Sequence, residues 1–342
     1  MSLQFIMGNS GSGKSYCLYD TVVREAIENP DKNYLVIVPE QFTMQTQKDL
    51  CLAHPKGGIM NIDVLSFGRL AHRVFEEVGQ DARVVLDDEG KNLVLRKIAG
   101  ECEKDLKVFK GNLKKQGYIS EVKSVLSEFA QYGVDFERLD DFMKEVPPES
   151  YLHYKLDDIR TIYEKFEEYL SEKYITKEEM LDVLSDAVPY SDILKGSVVA
   201  MDGFTGFTPV QNRLIGELFS VCEKVMITVT MDGRENPYVY EHPYQIFALG
   251  KQMVTSLMKI AGEKKTEIEE PICLFERPVY RFRDCSEMAF LETELFRYSG
   301  AKYNGSCESV SLHEVRSPGK EAKYVAESIR RLVRTKGYRY RD

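Results

Sequence analysis

Near its start the chain carries a segment that matches the phosphate-binding pattern GxxxxGK[ST] in full, GNSGSGKS at residues 8–15. Residues 3–7 form a short apolar run that predicts a strand, and residues 16–27 predict a helix. In a strand–loop–helix of this kind, the N–H groups of the loop and the helix N-terminus face a bound phosphate. The segment therefore predicts a nucleotide site at the end of a sheet strand.

Each part of this segment has a role in holding a nucleotide. The three glycines let the backbone curl around an anion, the Lys14 ammonium adds positive charge at the β- and γ-phosphates, and the Ser15 hydroxyl suits a Mg²⁺ ion. ATP and Mg²⁺ are thus the expected cofactors. The predicted nucleotide-binding residues are Gly8, Asn9, Ser10, Gly11, Ser12, Gly13, Lys14, Ser15 and Tyr16.

The composition is that of an ordinary soluble protein with room for about two domains. Of the 342 residues, 43% are hydrophobic and 30% are charged, and no apolar run approaches the length of a membrane span. The start lacks the layout of a signal peptide, and the seven cysteines form no CxxC pair, which predicts a reducing, cytoplasmic setting. The net charge of -9 argues against a globally basic coat for nucleic acid but leaves a local basic track open.

Strands and helices alternate in two separated parts of the chain. Residues 33–41 predict a buried strand, and residues 61–79 predict a strand that runs into a helix. Further strands are predicted within residues 196–204 and 224–232, after a long stretch with apolar residues at helical spacing. Alternation of this kind favours an α/β fold with a parallel sheet covered by helices.

The domain organisation follows from these patterns. Residues 1–85 and 190–235 are predicted to build the α/β core, and residues 86–189 an inserted all-helical subdomain. Residues 236–306 are interpreted as a helical connection. Residues 307–342 predict a strand, a loop and a helix that ends at Gly337, where another strand is expected. We therefore expect a truncated chain that ends inside a further α/β domain.

Asp202 is the predicted second half of the nucleotide site. It ends an apolar strand, where enzymes with this loop place an Asp that holds Mg²⁺ through water. Hydrolytic members usually add a neighbouring Glu to activate the attacking water, whereas residue 203 is a glycine. Ser15 and Asp202 are thus the predicted metal residues, and no catalytic residue is assigned. An ordinary Asp-Gly turn is the alternative for Asp202.

The segment MDGFTGFTPVQ, residues 201–211, resembles a motif of superfamily 1 helicases that runs Asp-Glu-Phe-Gln-Asp-Thr-Asn-Pro-x-Gln. Asp202, Phe204, Pro209 and Gln211 fit that motif. Together with the early phosphate loop, VPEQFT, LSFGRLAHRV and KGYRYRD, it makes nearly the whole chain similar to the B subunit of AddAB-type ATP-dependent helicase–nucleases. The order and spacing of these motifs carry the resemblance.

The resemblance implies a RecA-like P-loop domain, with a second RecA-like domain starting at residues 307–342. It implies binding of single-stranded DNA and duplex ends, a partnership with the A subunit, no membrane, and a role in recombinational repair of double-strand breaks. The family's nuclease domain and its iron–sulfur cysteines would lie beyond residue 342. Three motor features depart from the pattern: an upstream Gln that reads adenine is missing, Gly203 replaces the Glu, and residues 233–235 replace the usual γ-phosphate sensor. The resemblance therefore implies weak nucleotide binding with degraded hydrolysis motifs.

Candidate DNA contacts follow predicted strand ends, where α/β sheets bind ligands. Phe42, Phe67, Arg69 and Arg73 combine the flat rings and cations that single-stranded DNA requires, and His72 is a weaker candidate. The alternative is that Phe67 belongs to the core and that Arg69 and Arg73, one helical turn apart, form a solvated face.

Two other functions remain open from the residues. One is a free-standing P-loop ATPase or nucleotide kinase, although a kinase would need a lid and a base pocket. The other is a nucleotide-gated module that contacts a protein partner and no DNA.

Overall fold

The structure is a computed structural model that describes residues 1–79, 83–113, 115–170 and 173–340. The chain divides into two compact units, Met1–Glu276 and Arg277–Asp342. The last two residues of the KGYRYRD segment, Arg341 and Asp342, lie outside the described residues.

The first unit contains nine strands and ten α-helices among its described residues. The strands are β1 (Ser2–Gly8), β2 (Tyr34–Ile37), β3 (Ile62–Leu65), β4 (Val84–Leu86), β5 (Tyr174–Thr176), β6 (Val198–Met201), β7 (Lys224–Thr230), β8 (Glu267–Ile268) and β9 (Ile272–Leu274). The helices are α1 (Lys14–Glu28), α2 (Thr43–Ala53), α3 (Phe67–Val78), α4 (Asp88–Glu101), α5 (Gln116–Tyr132), α6 (Phe136–Glu145), α7 (Tyr151–Leu170), α8 (Lys177–Ala187), α9 (Pro209–Val221) and α10 (Ala248–Lys264).

Seven of the strands form one sheet in the order β3–β2–β6–β7–β1, with β8 and β9 both paired to the outer edge of β1. Every pairing in it is parallel. The α/β class with a parallel sheet, predicted from the sequence, is confirmed. Because the strands are parallel, the carboxyl ends of β1, β2, β3 and β6 lie along the same edge of the sheet.

Alternate residues of the strands fill two cores, one on each face of the sheet. Leu3, Phe5 and Met7 of β1 pack with α3, α8, α9 and α10 on one face. Ile6 of β1 packs on the other face with Leu18 and Val22 of α1 and with Leu50 of α2. Both faces are buried, which is why the strands read as continuous apolar runs.

The interval 86–189 has a core of its own, but it is not all-helical as predicted. Residues of α4, α5 and α7 form this separate core: Leu95, Ile98, Ile119, Val122, Ile162 and Phe166 are among its members. β4 and β5 pair in parallel beside it, and Ile175 and α8 pack into the core of the main sheet. Strands of three residues show too few alternations to be distinguished from loops in a sequence.

One buried carboxylate connects α7 to the segment between α4 and α5. Asp158 accepts hydrogen bonds from the backbone N–H groups of Lys107 (2.8 Å), Val108 (2.7 Å) and Phe109 (2.8 Å). Its exposed fraction is 1%. The charge of this carboxylate therefore satisfies three backbone donors that have no helix or strand partner.

The helical connection predicted for residues 236–306 is also incomplete. It contains α10, but its β8 and β9 join the main sheet through β1. Their two and three residues are too short for a periodic signal, and pairing with β1 determines their conformation.

The second unit contains two α-helices among its described residues, α11 (Ser286–Glu294) and α12 (Pro318–Lys336). The end of α12 at Gly337, which has the left-handed backbone conformation of a helix C-cap, is confirmed. The strand predicted before this helix is absent from the described residues 277–340. A strand forms only where a neighbouring strand can pair with it, and the short apolar pattern in this segment does not report whether one is present. Within the described part of the whole chain, none of the helices has both the length and the apolar character needed to cross a membrane.

Two glutamates meet where α7 packs near α8. Glu167 shares a side-chain hydrogen bond with Glu179, and burial, followed by the charge of Glu179, raises the pKa of Glu167 to about 7. An unfolded glutamate has a pKa of about 4.3, so the folded chain holds an extra proton between about pH 4.5 and pH 7. The free energy of unfolding should therefore fall as the pH rises through this range.

We expect Glu167→Gln to weaken this pH dependence and to raise the melting temperature at about pH 8 more than at about pH 5.5. Thermal unfolding followed by circular dichroism measures both values. Glu168→Gln, at an exposed neighbouring position, is the matched control. An equal pH dependence in wild type and Glu167→Gln would contradict the prediction.

Candidate nucleotide site and nucleic-acid groove

The glycine-rich loop, residues 8–15, joins β1 to α1. Gly11 and Gly13 have φ values of 84° and 95°, in the left-handed region that favours glycine. A Cβ on Gly8 would lie 2.7 Å from the backbone oxygen of Leu274 and would collide with Ser12 Oγ. Steric constraints therefore favour glycine at all three positions: Gly11 and Gly13 because of their backbone conformation, and Gly8 because β9 and Ser12 lie too close for a side chain.

The Lys14 ammonium lies over this loop. Its Nζ donates hydrogen bonds to the carbonyl oxygens of Gly8 (3.0 Å) and Asn9 (2.8 Å). Ser15 and Tyr16 are exposed, and the first turn of α1 holds no acidic side chain that would repel an anion. The loop therefore combines a cation, an exposed hydroxyl and a helix N-terminus at one point, which fits a phosphate group.

Asp202 follows β6 at the same edge of the sheet and is 7% exposed. Oδ1 accepts a hydrogen bond from the Thr228 hydroxyl (2.6 Å) and Oδ2 accepts one from the Tyr19 hydroxyl (2.8 Å). Each carboxylate oxygen keeps a second lone pair, so water bound to Mg²⁺ can still donate to it. The residues present thus fit a magnesium ion held through water, with Ser15 as the hydroxyl on the loop side.

Tyr19 has a strongly perturbed phenol. Burial and, next, the negative charge of Asp202 raise the pKa of Tyr19 well above its usual range. The phenol therefore stays neutral and can donate its proton to the carboxylate.

The backbone conformation at Gly203 favours glycine over any other residue. Its φ of 79° is in the left-handed region, and a Cβ there would lie 3.5 Å from Pro39 Cδ and 3.8 Å from Phe42 Cδ2. The missing Glu of the helicase motif thus coincides with a conformation that glutamate rarely adopts.

Two other motif residues have a local structural role. The Thr208 hydroxyl accepts from the Gln211 N–H (3.3 Å), and Gln211 Oε1 accepts from the Thr208 N–H (3.0 Å). With Pro209 at the first turn, they form a capping box that starts α9.

The segment after β7 is the one whose sequence lacks a γ-phosphate sensor. It contacts the glycine-rich loop. The Met231 N–H donates to the Gly8 carbonyl oxygen (2.9 Å). Arg234 then pairs with buried Asp232 through Nη2–Oδ2 (2.7 Å) and Nε–Oδ1 (3.1 Å). An ion pair of two side chains from one turn thus occupies this position.

A groove of about 380 Å³ opens at the carboxyl ends of β2, β3 and β6. We call it the aromatic groove; its lining includes Pro39, Phe67, Arg69, His72, Lys177 and Phe204. Phe67 is only 8% exposed, and its ring centroid lies 5.4 Å from that of Phe204 and 6.4 Å from that of Phe207. Arg69 and His72 are exposed on α3. The groove therefore has an aromatic wall, with the cations Arg69 and Lys177 and the exposed carboxylate of Glu40 also in its lining.

The other two candidates lie outside the lining of the groove. Phe42 is 48% exposed, just before α2. Arg73 pairs with Asp63 of β3 at 3.1 Å, and both side chains are partly exposed. Phe67, Arg69 and His72 thus line the groove together, whereas Arg73, on the same helix, is not among the lining residues.

The sequence reasoning missed Tyr19, Thr228 and Lys177. Tyr19 lies one helical turn after Ser15, so it faces the same side of α1. The pairing of Met201 with Ile227 places the next residues, Asp202 and Thr228, side by side. The position of Tyr19 could have been predicted from its helical spacing in the sequence. The position of Thr228 beside Asp202 depends on the register of β6 and β7, which the sequence does not give.

These features define an α/β protein with a mostly parallel sheet whose candidate site lies at the carboxyl edge. The chain belongs to the family described as "ADDB, N-terminal", whose sequence model matches residues 5–292.

Similar proteins, each named as the B subunit of an ATP-dependent helicase/deoxyribonuclease, match all of this chain. The protein of Lachnoclostridium phytofermentans is 42% identical over 346 residues, which is 30% of its length. Those of Thermoanaerobacter sp. (strain X514) and Clostridium tetani are 36% and 33% identical over 344 residues, 29% and 30% of their lengths. The chain thus spans about 30% of the length of these relatives.

Proposed function

We propose that this chain is the helicase-like, DNA-binding part of the B subunit of a heterodimeric ATP-dependent helicase–nuclease that repairs double-strand breaks by recombination. One observation carries the proposal: the glycine-rich loop and the aromatic groove lie along the same carboxyl edge of one parallel sheet. The names of the relatives support a partner subunit and a DNA substrate. The sheet would be a RecA-like core, and a cytoplasmic setting remains a prediction from the cysteine pattern.

The glycine-rich loop would bind ATP with Mg²⁺, and weakly. Lys14 would contact phosphate oxygens, Ser15 would offer its hydroxyl to the ion, and Asp202 would accept from the ion's water. The magnesium would neutralise part of the triphosphate charge. At least two of the three N–H donors of the Lys14 ammonium are used by loop carbonyl oxygens, so fewer are left for a phosphate, which supports a weak affinity.

We expect calorimetric titration to show weak binding of both ATP and GTP with Mg²⁺, because residues 1–7 hold no counterpart of the Gln that reads adenine in superfamily 1 motors; Gln4 donates to the Glu270 carbonyl oxygen. Lys14→Ala should weaken binding of both nucleotides by about tenfold or more, since one charge-assisted phosphate contact is lost. Lys32→Ala is the matched control, because Lys32 pairs with Glu223 at the opposite edge of the sheet. A tight site with strong selectivity for ATP would contradict the prediction.

The aromatic groove would bind single-stranded DNA at or next to a duplex end. Arg69 and His72 line it beside Lys177, so their donors can reach a phosphate backbone, while Phe204 and Phe67 form an apolar floor. Exposed Phe42 lies next to Gly203 and can present its ring to a base. Phe67 would support the floor, since its own ring is buried.

We expect the affinity for a labelled single-stranded oligonucleotide to fall steeply with salt, because each neutralised phosphate releases counterions. Arg69→Ala should lower both the affinity and the magnitude of the log–log slope, the latter by about 0.7. Fluorescence anisotropy against salt concentration measures both.

Arg24→Ala, exposed on the third turn of α1 away from the groove, should change neither quantity. Equal losses in the Arg24 and Arg69 variants would place the contact elsewhere. A flat response to salt would instead favour the module that contacts a protein partner and no DNA.

A further inference from the structure

Asp202 has a hydroxyl donor on each of its carboxylate oxygens. The Thr228 hydroxyl comes from β7 and the Tyr19 hydroxyl from α1, at 2.6 Å and 2.8 Å. Asp202 as a whole is 7% exposed. One lone pair of each carboxylate oxygen is therefore already used by a side chain of the protein itself.

The direction of the Tyr19 hydrogen bond follows from the chemistry of its partners. The Tyr19 oxygen lies 3.2 Å from Thr46 Oγ1 of α2 and 2.8 Å from Asp202 Oδ2. An ionised carboxylate can only accept, and a phenol has one proton. Tyr19 therefore donates to Asp202, and Thr46 donates to Tyr19.

We propose that Tyr19 is a positioning residue that makes nucleotide binding at this site largely independent of Mg²⁺. The inference rests on the proposed nucleotide site and specifies its ligand as nucleotide with little need for the ion. Water on a magnesium ion must share Asp202 with two hydroxyls that already hold it, so the ion gains less from this carboxylate. Thr228 acts in the same sense from the neighbouring strand.

Removal of the Tyr19 hydroxyl would leave one oxygen of a buried carboxylate without its donor. A buried acceptor that has lost its partner gains strongly from any new donor. Water on a nucleotide-bound magnesium would be that donor in Tyr19→Phe. The dependence of nucleotide affinity on Mg²⁺ should therefore increase in this variant.

The experiment measures the dissociation constant for ATP by calorimetry in EDTA and in excess Mg²⁺. The first value divided by the second gives a ratio that rises as binding depends more on Mg²⁺. Tyr19→Phe should raise this ratio by about five- to tenfold over wild type, and Thr228→Val should change it in the same direction. Thr46→Val, which removes only the hydrogen bond behind Tyr19, and Thr228→Ser, which keeps the hydroxyl, should leave it near the wild-type value. Asp202→Asn should remove most of the Mg²⁺ effect in the Tyr19→Phe background.

The ratio separates positioning from a general structural role, because a loosened loop would weaken ATP binding equally with and without Mg²⁺. An unchanged or lowered ratio in both Tyr19→Phe and Thr228→Val, with wild-type nucleotide binding intact, overturns this inference alone. Wild-type protein that binds no nucleotide in either buffer overturns the proposed nucleotide site and the inference with it. Circular dichroism melting of each variant verifies that it is folded.

Discussion

The purified chain, mixed with ATP, Mg²⁺ and saturating single-stranded DNA, should release phosphate at a rate near background. The position that would activate water is Gly203, and the loss of a general base alone typically costs about 10²–10⁴ in rate. Arg234, where a γ-phosphate sensor is missing, is paired with Asp232. Steady-state phosphate release measures the rate, and Lys14→Ala sets the background.

Gly203→Glu by itself should not restore turnover. The φ of 79° at this position disfavours any residue with a Cβ, and Pro39 and Phe42 lie next to the new side chain. Gly203→Ala is the matched control, since it carries the same backbone strain without a carboxylate. Both variants should melt below the wild-type temperature. Robust turnover that is stimulated by DNA and lost in Lys14→Ala would show that the chain is a working ATPase after all.

The largest loss of stability is expected from Asp158→Ala. The substitution leaves three backbone N–H groups, those of Lys107, Val108 and Phe109, without their acceptor in a buried setting. Each unsatisfied buried donor costs about 1–3 kcal/mol, and partial relaxation of the segment brings the expected total to about 3–5 kcal/mol. Urea unfolding measured by circular dichroism gives the free energy of unfolding.

The neighbouring Asp157→Ala is the matched control for this change. Asp157 pairs with Lys107 at 3.0 Å between two exposed side chains, so its loss should alter the unfolding free energy little. Asp158→Asn keeps the shape and one acceptor oxygen and should lie between the two. If Asp158→Ala were no more destabilised than Asp157→Ala, the three hydrogen bonds would not hold this segment.

The parts of the fold that the sequence predicted are those with strong local signals. The glycine-rich loop has a fixed pattern, and β2, β6 and β7 are apolar runs bounded by turn residues. β4, β5, β8 and β9 were missed because two or three residues carry no period, and only a partner strand determines their conformation.

The candidate site divides in the same way. Lys14 and Ser15 follow from a contiguous motif, whereas the contacts of Asp202 with Tyr19 and Thr228 join elements far apart in the chain. Phe67 could be assigned to DNA or to the core from its motif alone, and its ring contacts with Phe204 and Phe207 decide that it is buried. The spacing of residues along the chain is therefore enough to recognise a motif, but it does not predict which residues from distant segments contact that motif.

The pairing of β1 has a consequence for the order in which the chain can fold. β1 precedes every other strand of this sheet in the chain, yet its partners are β7, β8 and β9, so that Ser2 pairs with both Lys224 and Glu267. β2 and β3, in contrast, pair with each other over a short separation, and the helices α4 and α5 contact each other. Contacts distant in sequence form late because closing a long loop costs entropy before any pairing offsets it. The strand that carries the glycine-rich loop is thus synthesised before its partner strands and can enter the sheet only after they are made, so the nucleotide site is complete only when most of this unit has been translated.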